Sequence, residues 1–370
     1  MSSNQPLSKS SPINSEPDKL QIPEPSSNTK QQRLNPIWQA RLTRFRQNRL
    51  GVISLFVFAV IFVICMAANV IANDKPLLVK YQDDYYFPVV KAYPETMFGG
   101  VFETETNYKD PAVQSLIDEQ GFHIMPLIPF ADQTPNVELG LPYPAAPNAQ
   151  NWLGTDDMGR DVLARILYGM RVSLLFGLAL TLAGALIGII VGAVQGYYGG
   201  WIDLAGQRFM EVWGGMPQLF MIIILVSLFS PSIIMLFAMM LLFGWMGLVG
   251  LVRAEFLRAR NFDYVRAARN LGVSDSQIML RHILPNALAS SLSQLPFILT
   301  ANIIALTALD FLGYGLPPGS PSLGELMVQG KNNLDAPWLV LSGFFSLTFI
   351  LSLLIFVGEA LRDAFDPRRS

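Results

Sequence analysis

The sequence predicts an all-α integral membrane protein with six transmembrane helices, on the basis of its composition, its hydropathy and its long apolar runs. Of the 370 residues, 51% are hydrophobic and 15% are charged, whereas soluble domains carry about 25% charged residues. The mean hydropathy is +0.37. A net charge of −2 does not indicate a partner, because in a membrane protein the distribution of charge matters more than its sum.

Five uncharged runs are long enough to span the bilayer, since about 30 Å of hydrocarbon requires roughly 20 apolar residues. One of them has double length, and a turn signal at Phe229-Ser230-Pro231-Ser232 divides it into two spans. The first run is of full length and has no small-residue cleavage site after it, so we expect an uncleaved span rather than a signal peptide. The runs are Leu50–Ala72, Val172–Tyr198, the double run Val212–Val252, Ile283–Leu309 and Ala336–Gly358.

Arginine clusters predict which side of the membrane each connection faces. Arginines concentrate before the first span, in the loop Arg253–His282 (the basic loop) and in the C-terminal tail. Because Lys and Arg favour the cytoplasmic side, both termini and the basic loop are predicted to be cytoplasmic. The segment Asp74–Gln150 (the insertion) holds eleven acidic residues, four lysines and no arginine, which predicts an enlarged external loop between the first two spans.

Composition divides the chain into segments. Residues 1–32 are rich in Ser, Pro, Asn and Gln and predict a disordered cytoplasmic tail. Residues 33–49 predict either a short basic helix in the membrane interface or a plain basic flank. The insertion is too long for a simple connector and predicts a small, irregular external subdomain. The remaining segments are the first span at 50–72, a periplasmic segment at 73–171 that holds the insertion and an amphipathic stretch at Val162–Tyr168, the membrane core at 172–358 with the loop 253–285, and a cytoplasmic tail at 359–370.

The second span carries a regular series of glycines. Four of them recur at intervals of four residues, namely Gly184, Gly188, Gly192 and Gly196. On a helix this spacing forms one smooth stripe, which lets a neighbouring backbone approach closely. The series therefore predicts a helix-packing surface rather than a groove for solute.

The spans lack the groups on which ion-coupled carriers depend. No ionisable side chain lies in the middle of a predicted span; Asp203, Arg208 and Glu211 begin the third span and Asp310 ends the fifth, as expected of interfacial charges. The chain has no GxxxxGK[ST] phosphate-binding loop, and the single Cys65 excludes a disulfide framework. We expect no catalytic, cofactor-binding or metal-binding residues here, and a separate partner that supplies the energy.

The basic loop predicts two short helices joined at a glycine. Phe262–Leu271 is the first predicted helix, and Gly272 is placed to end it. Ser274 and Gln277 have the spacing of a capping box, which predicts a second helix that Pro285 ends. Composition alone would favour a basic loop that merely sets topology, but the ordered Ala-Ala, Gly and Leu-Pro spacing favours a surface that binds a partner.

This spacing resembles the EAA loop in the permeases of binding-protein-dependent ABC importers. The family pattern is Glu-Ala-Ala, three residues, Gly, nine residues, Ile, one residue and Leu-Pro. Ala267, Ala268, Gly272 and Leu284-Pro285 match it, whereas Arg266 replaces the Glu and His282 replaces the Ile, as in the dipeptide and oligopeptide branch. The enlarged insertion is similar to that of the YejE-type permeases of microcin C and peptide importers. Other stretches that resemble the branch are Trp152–Asp161, Gly196–Gly200, Asp310–Gly313 and Leu361–Arg368.

The resemblance implies the membrane subunit of an ATP-driven peptide importer in a bacterial inner membrane. Its implied partners are a second permease subunit that completes a heterodimer, two cytoplasmic ATPase subunits that bind ATP and Mg, and a periplasmic solute-binding protein; no nucleic acid is expected. The family motif implies that Ala267, Ala268, Gly272, Leu284 and Pro285 contact the ATPase. By their position on the same short helix, Tyr264, Arg266 and Arg269 are added to this set.

Several alternatives stay open on the sequence. Nickel, glutathione or sugar-peptide conjugates remain compatible substrates, because selectivity in such systems resides largely in the binding protein. Rival functions are an ion-coupled secondary carrier, a membrane-embedded enzyme, and an exporter component or scaffold that uses the same loop. The insertion is either a docking surface or lid for the binding protein, or a family-specific addition that does not contact solute.

Overall fold

The structure, a computed structural model, describes residues 36–365 except Ser230 and Pro231, and the side chains of residues 36–38 and 138 are not part of that description. The tail predicted at residues 1–32 and the centre of the predicted turn at Ser230-Pro231 lie outside the described residues. Within them, the chain is mostly helical and its long helices pack around one central helix.

Two consecutive helices begin the described chain. Helix α1 spans Pro36–Gln47 and α2 spans Arg49–Met66, followed by the short α3 at Ala68–Ile71. Asn48 separates α1 from α2 and caps the latter, since its side-chain oxygen accepts from the Gly51 amide at 3.0 Å. Residues 36–47 are thus helical, as an interfacial helix requires, and they pack against the last helix of the chain through a cluster that contains Phe45, Ala360 and Ala364.

The insertion contains a small antiparallel sheet. Strands β1 Leu78–Tyr81, β2 Asp84–Tyr86 and β3 Gly121–Ile124 pair in the order β2-β1-β3, and helix α4 Pro111–Gln120 leads into β3. The expectation of an all-α chain is wrong for this segment. The cause is the alternation along β1, where Val79 and Tyr81 point into a buried core with Phe98 while the residues between them face outward.

The longest helix, α5, spans Val162–Tyr198, a length of 37 residues. The sequence predicted an amphipathic stretch at Val162–Tyr168 that precedes a span beginning at Val172, but the two form one continuous helix. Asp161 caps its first turn, with its carboxylate accepting from the Ala164 amide at 2.8 Å. No proline interrupts the helix, and a Cβ added at Gly169 would lie 3.3 Å from the Leu323 amide nitrogen.

Two helices then bend sharply before the next span-length helix. Helix α6 Gly200–Gly214 and α7 Gln218–Leu228 meet at an angle of 72°, and Pro217, which lacks an amide hydrogen, lies at the break. Helices α8 Ile233–Gly244 and α9 Met246–Ala259 follow and together form the apolar stretch Ile233–Ala259.

The C-terminal half begins with the basic loop. It contains α10 Asp263–Asn270, α11 Asp275–Gln277 and a π-helical turn at Ile278–Ile283, which runs into α12 Leu284–Leu292. Helix α13 Leu295–Phe311 is bent by 54° from the preceding stretch. Helices α14 Leu323–Asn332 and α15 Pro337–Phe365 complete the described chain.

The described residues contain between four and six candidate membrane spans. Four helices are long and apolar enough to cross a membrane by length and composition: Arg49–Met66, Val162–Tyr198, Ile233–Ala259 and Pro337–Phe365. The two bent pairs, α6 with α7 and α11–α12 with α13, each pass the same test only when joined. The prediction of a multi-helix membrane protein therefore agrees with the structure, and the count of six depends on treating each bent pair as one span.

Candidate functional site

Helix α10 of the basic loop has an inner and an outer stripe. Val265 and Ala268 are buried against the rest of the chain, whereas Tyr264, Ala267 and Leu271, spaced three and four residues apart on one face, are exposed. Leu271 is 83% exposed. An apolar stripe that this chain leaves uncovered can pack against a partner without disturbing the buried side of the helix.

Gly272 ends α10 in a left-handed conformation, with φ +77°. The amide of Val273 donates to the Ala268 carbonyl at 3.1 Å, and the amide of Gly272 donates to the Arg269 carbonyl at 3.0 Å. These two bonds form the Schellman arrangement, which commonly ends helices at a glycine. A Cβ added at Gly272 would meet nothing within 4 Å, so the backbone conformation alone requires glycine within this chain.

The second helix of the basic loop differs from its prediction in two ways. Ser274 lies at the N-cap of α11 but makes no side-chain capping bond. Pro285 does not end the helix, because the chain continues from α11 through the π-helical turn into α12. The wider π turn places Pro285 in the first turn of a new α-helical segment, where its missing amide hydrogen costs no internal bond.

A shared apolar core holds the basic loop against the ends of α5 and α9. Ile278 of the basic loop and Ile283, which directly follows the loop, are fully buried together with Val252 and Phe256 of α9, and Tyr197 of α5 is also part of the cluster. Burying aliphatic side chains of this size stabilises a contact by about 1.5–3 kcal/mol each. The loop is therefore part of the packed body of the protein rather than a loose connection.

Polar contacts tie the same loop to the last turn of α5. The Tyr197 hydroxyl donates to the Asp275 carboxylate at 2.5 Å and accepts from Arg269 Nη2 at 3.0 Å. The bond to Tyr197 holds the pKa of the Arg269 guanidinium above its usual value. Arg269 of α10 and Asp275 of α11 thus link both helices of the basic loop to one residue of α5. Arg260, at the end of α9, adds a bond from Nη1 to the Tyr197 carbonyl at 3.3 Å.

The N-terminal border of the loop carries a two-bond ion pair. Arg253 of α9 donates from Nε and Nη2 to the two carboxylate oxygens of Asp203 in α6, at 2.5 and 2.7 Å. Such forked pairs fix orientation as well as distance. They attach α6 to the helix from which the basic loop emerges.

Most of the residues predicted to contact a partner are exposed. Tyr264, Arg266, Ala267, Arg269, Gly272 and Pro285 face outward, whereas Ala268 is buried and Leu284 is half-buried beside the shared core. Sequence reasoning missed Leu271, although its spacing of seven from Tyr264 places it on the same face. It also missed the link between Tyr197 and Asp275, which are separated by 78 positions and show no local pattern.

The four stripe glycines lie where α5 crosses α8 and α9. A Cβ at Gly188 would be 2.6 Å from the Trp245 carbonyl oxygen, one at Gly192 would be 2.8 Å from that of Val249, and one at Gly196 would be 2.5 Å from that of Arg253. Gly184 is slightly less crowded, with 3.3 Å to the carbonyl oxygen of Gly244. Only glycine lets the two backbones approach this closely.

A buried ionic network surrounds the other end of α5. Arg165 is completely buried and donates to the carbonyls of Gly319 and Ser320 at 3.1 and 3.2 Å and to the Glu325 carboxylate at 2.5 Å. Arg160 donates to Asp156 at 2.7 Å. The network joins the first turn of α5 to α14 and to the loop between α13 and α14. No spacing of residues in the sequence predicted it.

The segment Trp152–Asp161 forms the turn that supplies this network. The Asp156 carboxylate accepts from the amides of Met158 and Arg160 at 3.0 and 2.9 Å, and Gly159 has a φ of +77°. Asp161 accepts a further bond from Asn151 at 2.8 Å. Burial raises the pKa of the Asp161 carboxyl despite these hydrogen bonds, which act in the opposite direction.

Asp310, expected to be an interfacial charge, organises the loop that follows α13. Its carboxylate accepts from the Leu316 amide at 2.7 Å and from the Ser322 hydroxyl at 2.5 Å. A cavity of about 430 Å³ lies beside it and is also lined by Tyr314 and Glu325. Among the residues that the structure describes, no group of three or more His, Cys, Asp or Glu side chains is arranged to hold a metal ion.

Two families match the chain. The family described as "Binding-protein-dependent transport system inner membrane component" matches residues 184–370, which include the stripe glycines and the basic loop. The family described as "N-terminal TM domain of oligopeptide transport permease C" matches residues 37–89. Together they cover α1, α2 and the C-terminal half of the chain.

Curated relatives cover most of the length. The Escherichia coli K12 "Inner membrane ABC transporter permease protein YejE" is 56% identical over 91% of this chain and 99% of its own length. The Agrobacterium fabrum "Peptidoglycan transport system permease protein YejE" is 50% identical over 91% of this chain and 94% of its own. The Haemophilus influenzae "Oligopeptide transport system permease protein OppC" is 37% identical over 60% of this chain and 73% of its own.

These matches confirm the predicted resemblance to the dipeptide and oligopeptide permeases and to the YejE type. They also confirm that the chain is a transport subunit rather than an enzyme, because the relatives are named as permeases. The residues that carry the resemblance to the EAA loop, namely Ala267, Ala268, Gly272, Leu284 and Pro285, lie in the matched region. The chain belongs to the family of inner membrane components of binding-protein-dependent transport systems.

Proposed function

We propose that this chain is a permease subunit of an ATP-driven importer that translocates peptides or peptide-like compounds, driven by an ATPase that contacts Tyr264–Pro285. The observation that carries the proposal is the position of the basic loop. Its inner side is bonded and packed to the ends of α5 and α9, and its outer side presents Tyr264, Ala267 and Leu271. A partner that displaces this surface would move α5 with it.

The names of the relatives support the proposal that the substrates are peptides. The Haemophilus relative is named for oligopeptides, a Bacillus subtilis relative for dipeptides and the Agrobacterium relative for peptidoglycan, whose fragments contain peptides. Microcin C, a peptide conjugate, is one candidate within this class. Selection among these compounds is assigned to the binding protein, since no charged side chain of the described spans marks a peptide-binding set.

The proposal includes the rest of the transporter and its orientation. A second permease subunit would complete a heterodimer, two ATPase subunits would bind ATP and Mg, and a binding protein would deliver solute on the opposite side. Both termini and the basic loop would face the ATPase side of a bacterial inner membrane. The arginines of α1 and the basic loop support this orientation, because basic residues favour the cytoplasmic side.

Cross-linking in the assembled complex tests the proposal. Cysteine is introduced as Leu271→Cys, and Leu334→Cys serves as the matched control, because Leu334 is 84% exposed but lies between α14 and α15. The native Cys65 is fully buried and so does not compete. We expect a bismaleimide to link position 271, and not position 334, to the ATPase. A complex in which position 271 never links to the ATPase would contradict the assignment.

The energy source is tested separately in proteoliposomes that contain the whole transporter. Uptake of a labelled peptide is expected to require both ATP and the binding protein and to persist when an uncoupler removes the proton gradient. Uptake that stops on uncoupling while ATP is held constant would instead establish an ion-coupled carrier.

A further inference from the structure

The cavity beside Asp310 is built from several separate parts of the chain. It has a volume of about 430 Å³, and its lining comes from α7, the end of α13, the loop between α13 and α14, and α14. Met158, from the turn that precedes α5, also lines it. Pockets for small ligands have volumes of about 300–1,000 Å³, so the cavity has room for part of a solute.

Glu325 is one of two carboxylates that line the cavity among the described residues, and it is already neutralised. It forms ion pairs with Arg165 at 2.5 Å and with Arg160 at 3.5 Å. Arg160 also pairs with Asp156 at 2.7 Å. Within these ion pairs, two guanidinium groups therefore face two carboxylates. This balance leaves Glu325 little net charge to offer to a ligand.

Asp310 is the other carboxylate in the lining, and it has no such counter-ion. Its oxygens accept hydrogen bonds from two uncharged donors, the Leu316 amide at 2.7 Å and the Ser322 hydroxyl at 2.5 Å. No Lys, Arg or His side chain in the part of the chain that the structure describes forms an ion pair with it. The side chain is half-buried, and an unpaired carboxylate in such a position is costly to desolvate. A cation bound in the cavity would offset this cost.

Other residues of the lining favour a cation over an anion. Phe311 and Tyr314 contribute aromatic rings, whose faces attract cations within about 6 Å. Lys331 Nζ lies 5.6 Å from the centre of the Phe311 ring, so this ring already takes part in one such contact. Pro317 and Pro318 also line the cavity, and proline offers a backbone acceptor but no backbone donor. A primary ammonium group, with three donors and no acceptor, complements such a lining.

We propose that this cavity binds an ammonium group of the transported peptide, with Asp310 as its counter-ion and the rings of Phe311 and Tyr314 beside it. The identity of the ligand as a peptide rests on the proposed function, whereas the preference for a cation does not. In the proposed orientation the cavity lies on the external side, where the binding protein delivers solute. The site contacts a group that many peptides share, so selection among peptides remains with the binding protein.

Protection of an introduced thiol tests the proposal in the assembled transporter, without ATP or binding protein. Met158→Cys places the thiol in the lining, at a side chain that is 59% exposed, whereas the native Cys65 is fully buried. A neutral methanethiosulfonate labels the thiol in competition with trialanine amide, whose only charge is its ammonium group, or with the uncharged N-acetyltrialanine amide. We expect the dissociation constant of the free amine to be at least about tenfold lower, the effect of one hydrogen bond to a charged group.

Asp310→Asn, added to Met158→Cys, removes the charge and keeps an oxygen that accepts from the Leu316 amide. We expect the two competitors then to protect the thiol equally. Asp335→Asn is the matched control, because Asp335 is exposed between α14 and α15 and does not line the cavity; it should retain the tenfold difference. Thermal unfolding and co-purification of the partner subunits show whether each variant folds and assembles.

Two results would overturn the proposal. One is an equal dissociation constant for the two competitors while Asp310 is intact, which does not depend on the folding of the Asp310→Asn variant. The other is a tenfold difference that persists in a folded Asp310→Asn variant. Peptide uptake that requires ATP, together with equal protection, would remove the site and leave the proposed function standing. A tenfold difference in a transporter that takes up no peptide would contradict the proposed function and still establish a cation site.

Discussion

Tyr197, in the last turn of α5, donates its hydroxyl proton to Asp275 of the basic loop over 2.5 Å and receives a hydrogen bond from Arg269 on the neighbouring helix. One side chain thus joins both halves of the loop to the longest helix of the protein. The hydrogen bonds of Tyr197 and the apolar core beneath them therefore link the exposed residues of the basic loop to α5.

Removing the Tyr197 hydroxyl should weaken this link. A hydrogen bond to a charged group contributes about 1.5–3 kcal/mol, so Tyr197→Phe is expected to loosen the loop from α5 and lower peptide transported per ATP hydrolysed by about tenfold. The measurement is the ratio of uptake to ATP hydrolysis in proteoliposomes. Tyr198→Phe is the matched control, since Tyr198 is the neighbouring, exposed tyrosine. An unchanged ratio in Tyr197→Phe would show that the contact does not transmit movement.

A bulky residue at Gly272 should block coupling without preventing insertion. The φ of +77° costs an ordinary residue about 1–2 kcal/mol, and nothing in this chain obstructs a side chain there. We expect Gly272→Asn, which tolerates this conformation, to retain most uptake and Gly272→Trp to abolish it. Uptake and membrane insertion are measured together. Gly140→Trp, at another open glycine of positive φ in the insertion, controls for bulk alone. Normal uptake by Gly272→Trp would refute the coupling role.

Even a methyl group at Gly192 should separate α5 from α9. The added Cβ would lie 2.8 Å from the Val249 carbonyl oxygen and 2.9 Å from the Val252 Cβ, and overpacking of this kind costs about 1–3 kcal/mol. Gly192→Ala is therefore expected to lower the melting temperature in detergent. Gly250→Ala on α9, where an added Cβ meets nothing within 4 Å, should leave it unchanged or raise it. Equal melting temperatures for the two variants would show that the backbones are not in contact at Gly192.

The ionic network at the other end of α5 should be essential for stability. Breaking a buried ion pair costs about 3–5 kcal/mol, so Arg165→Gln is expected to lower the melting temperature strongly. Arg165→Lys should recover little, because an ammonium group does not reproduce the forked contacts to Glu325 and three backbone carbonyls. The exposed pair between Arg208 and Glu211 supplies the control, Arg208→Gln, which should cost at most about 1 kcal/mol. A melting temperature in Arg165→Gln equal to that of the control would contradict the importance of the network.

The sequence predicted those features of the fold and the site that depend on residues within a few helical turns of one another. The apolar runs, the glycine series and the helix that ends at Gly272 all arise from spacing within a few turns, and they are visible in the sequence. The continuation of the helix past Pro285 was missed, because a π-helical turn that accommodates a proline has no sequence signature. The β1 strand was overlooked since four residues of alternation at Leu78–Tyr81 are a weak signal within an aromatic-rich insertion.

Contacts between distant segments could not be predicted from the sequence, for a different reason. Arg165 and Glu325 are separated by 160 positions, and each looks like an ordinary charge at the end of an apolar run. Their burial becomes apparent only when α14 packs beside the first turn of α5. Asp310 was likewise interpreted as an interfacial charge, although it accepts two hydrogen bonds that shape the following loop.

The length of α5 has a mechanical consequence. At 1.5 Å per residue, its 37 residues extend about 55 Å, nearly twice the roughly 30 Å of hydrocarbon in a bilayer. It therefore projects from the membrane or tilts strongly within it, as a lever with one arm in the basic loop and the other in the Arg165 network. A continuous helix without a proline resists sharp bending. The movement proposed for the basic loop is therefore expected to reach the Arg165 network at the other end of α5.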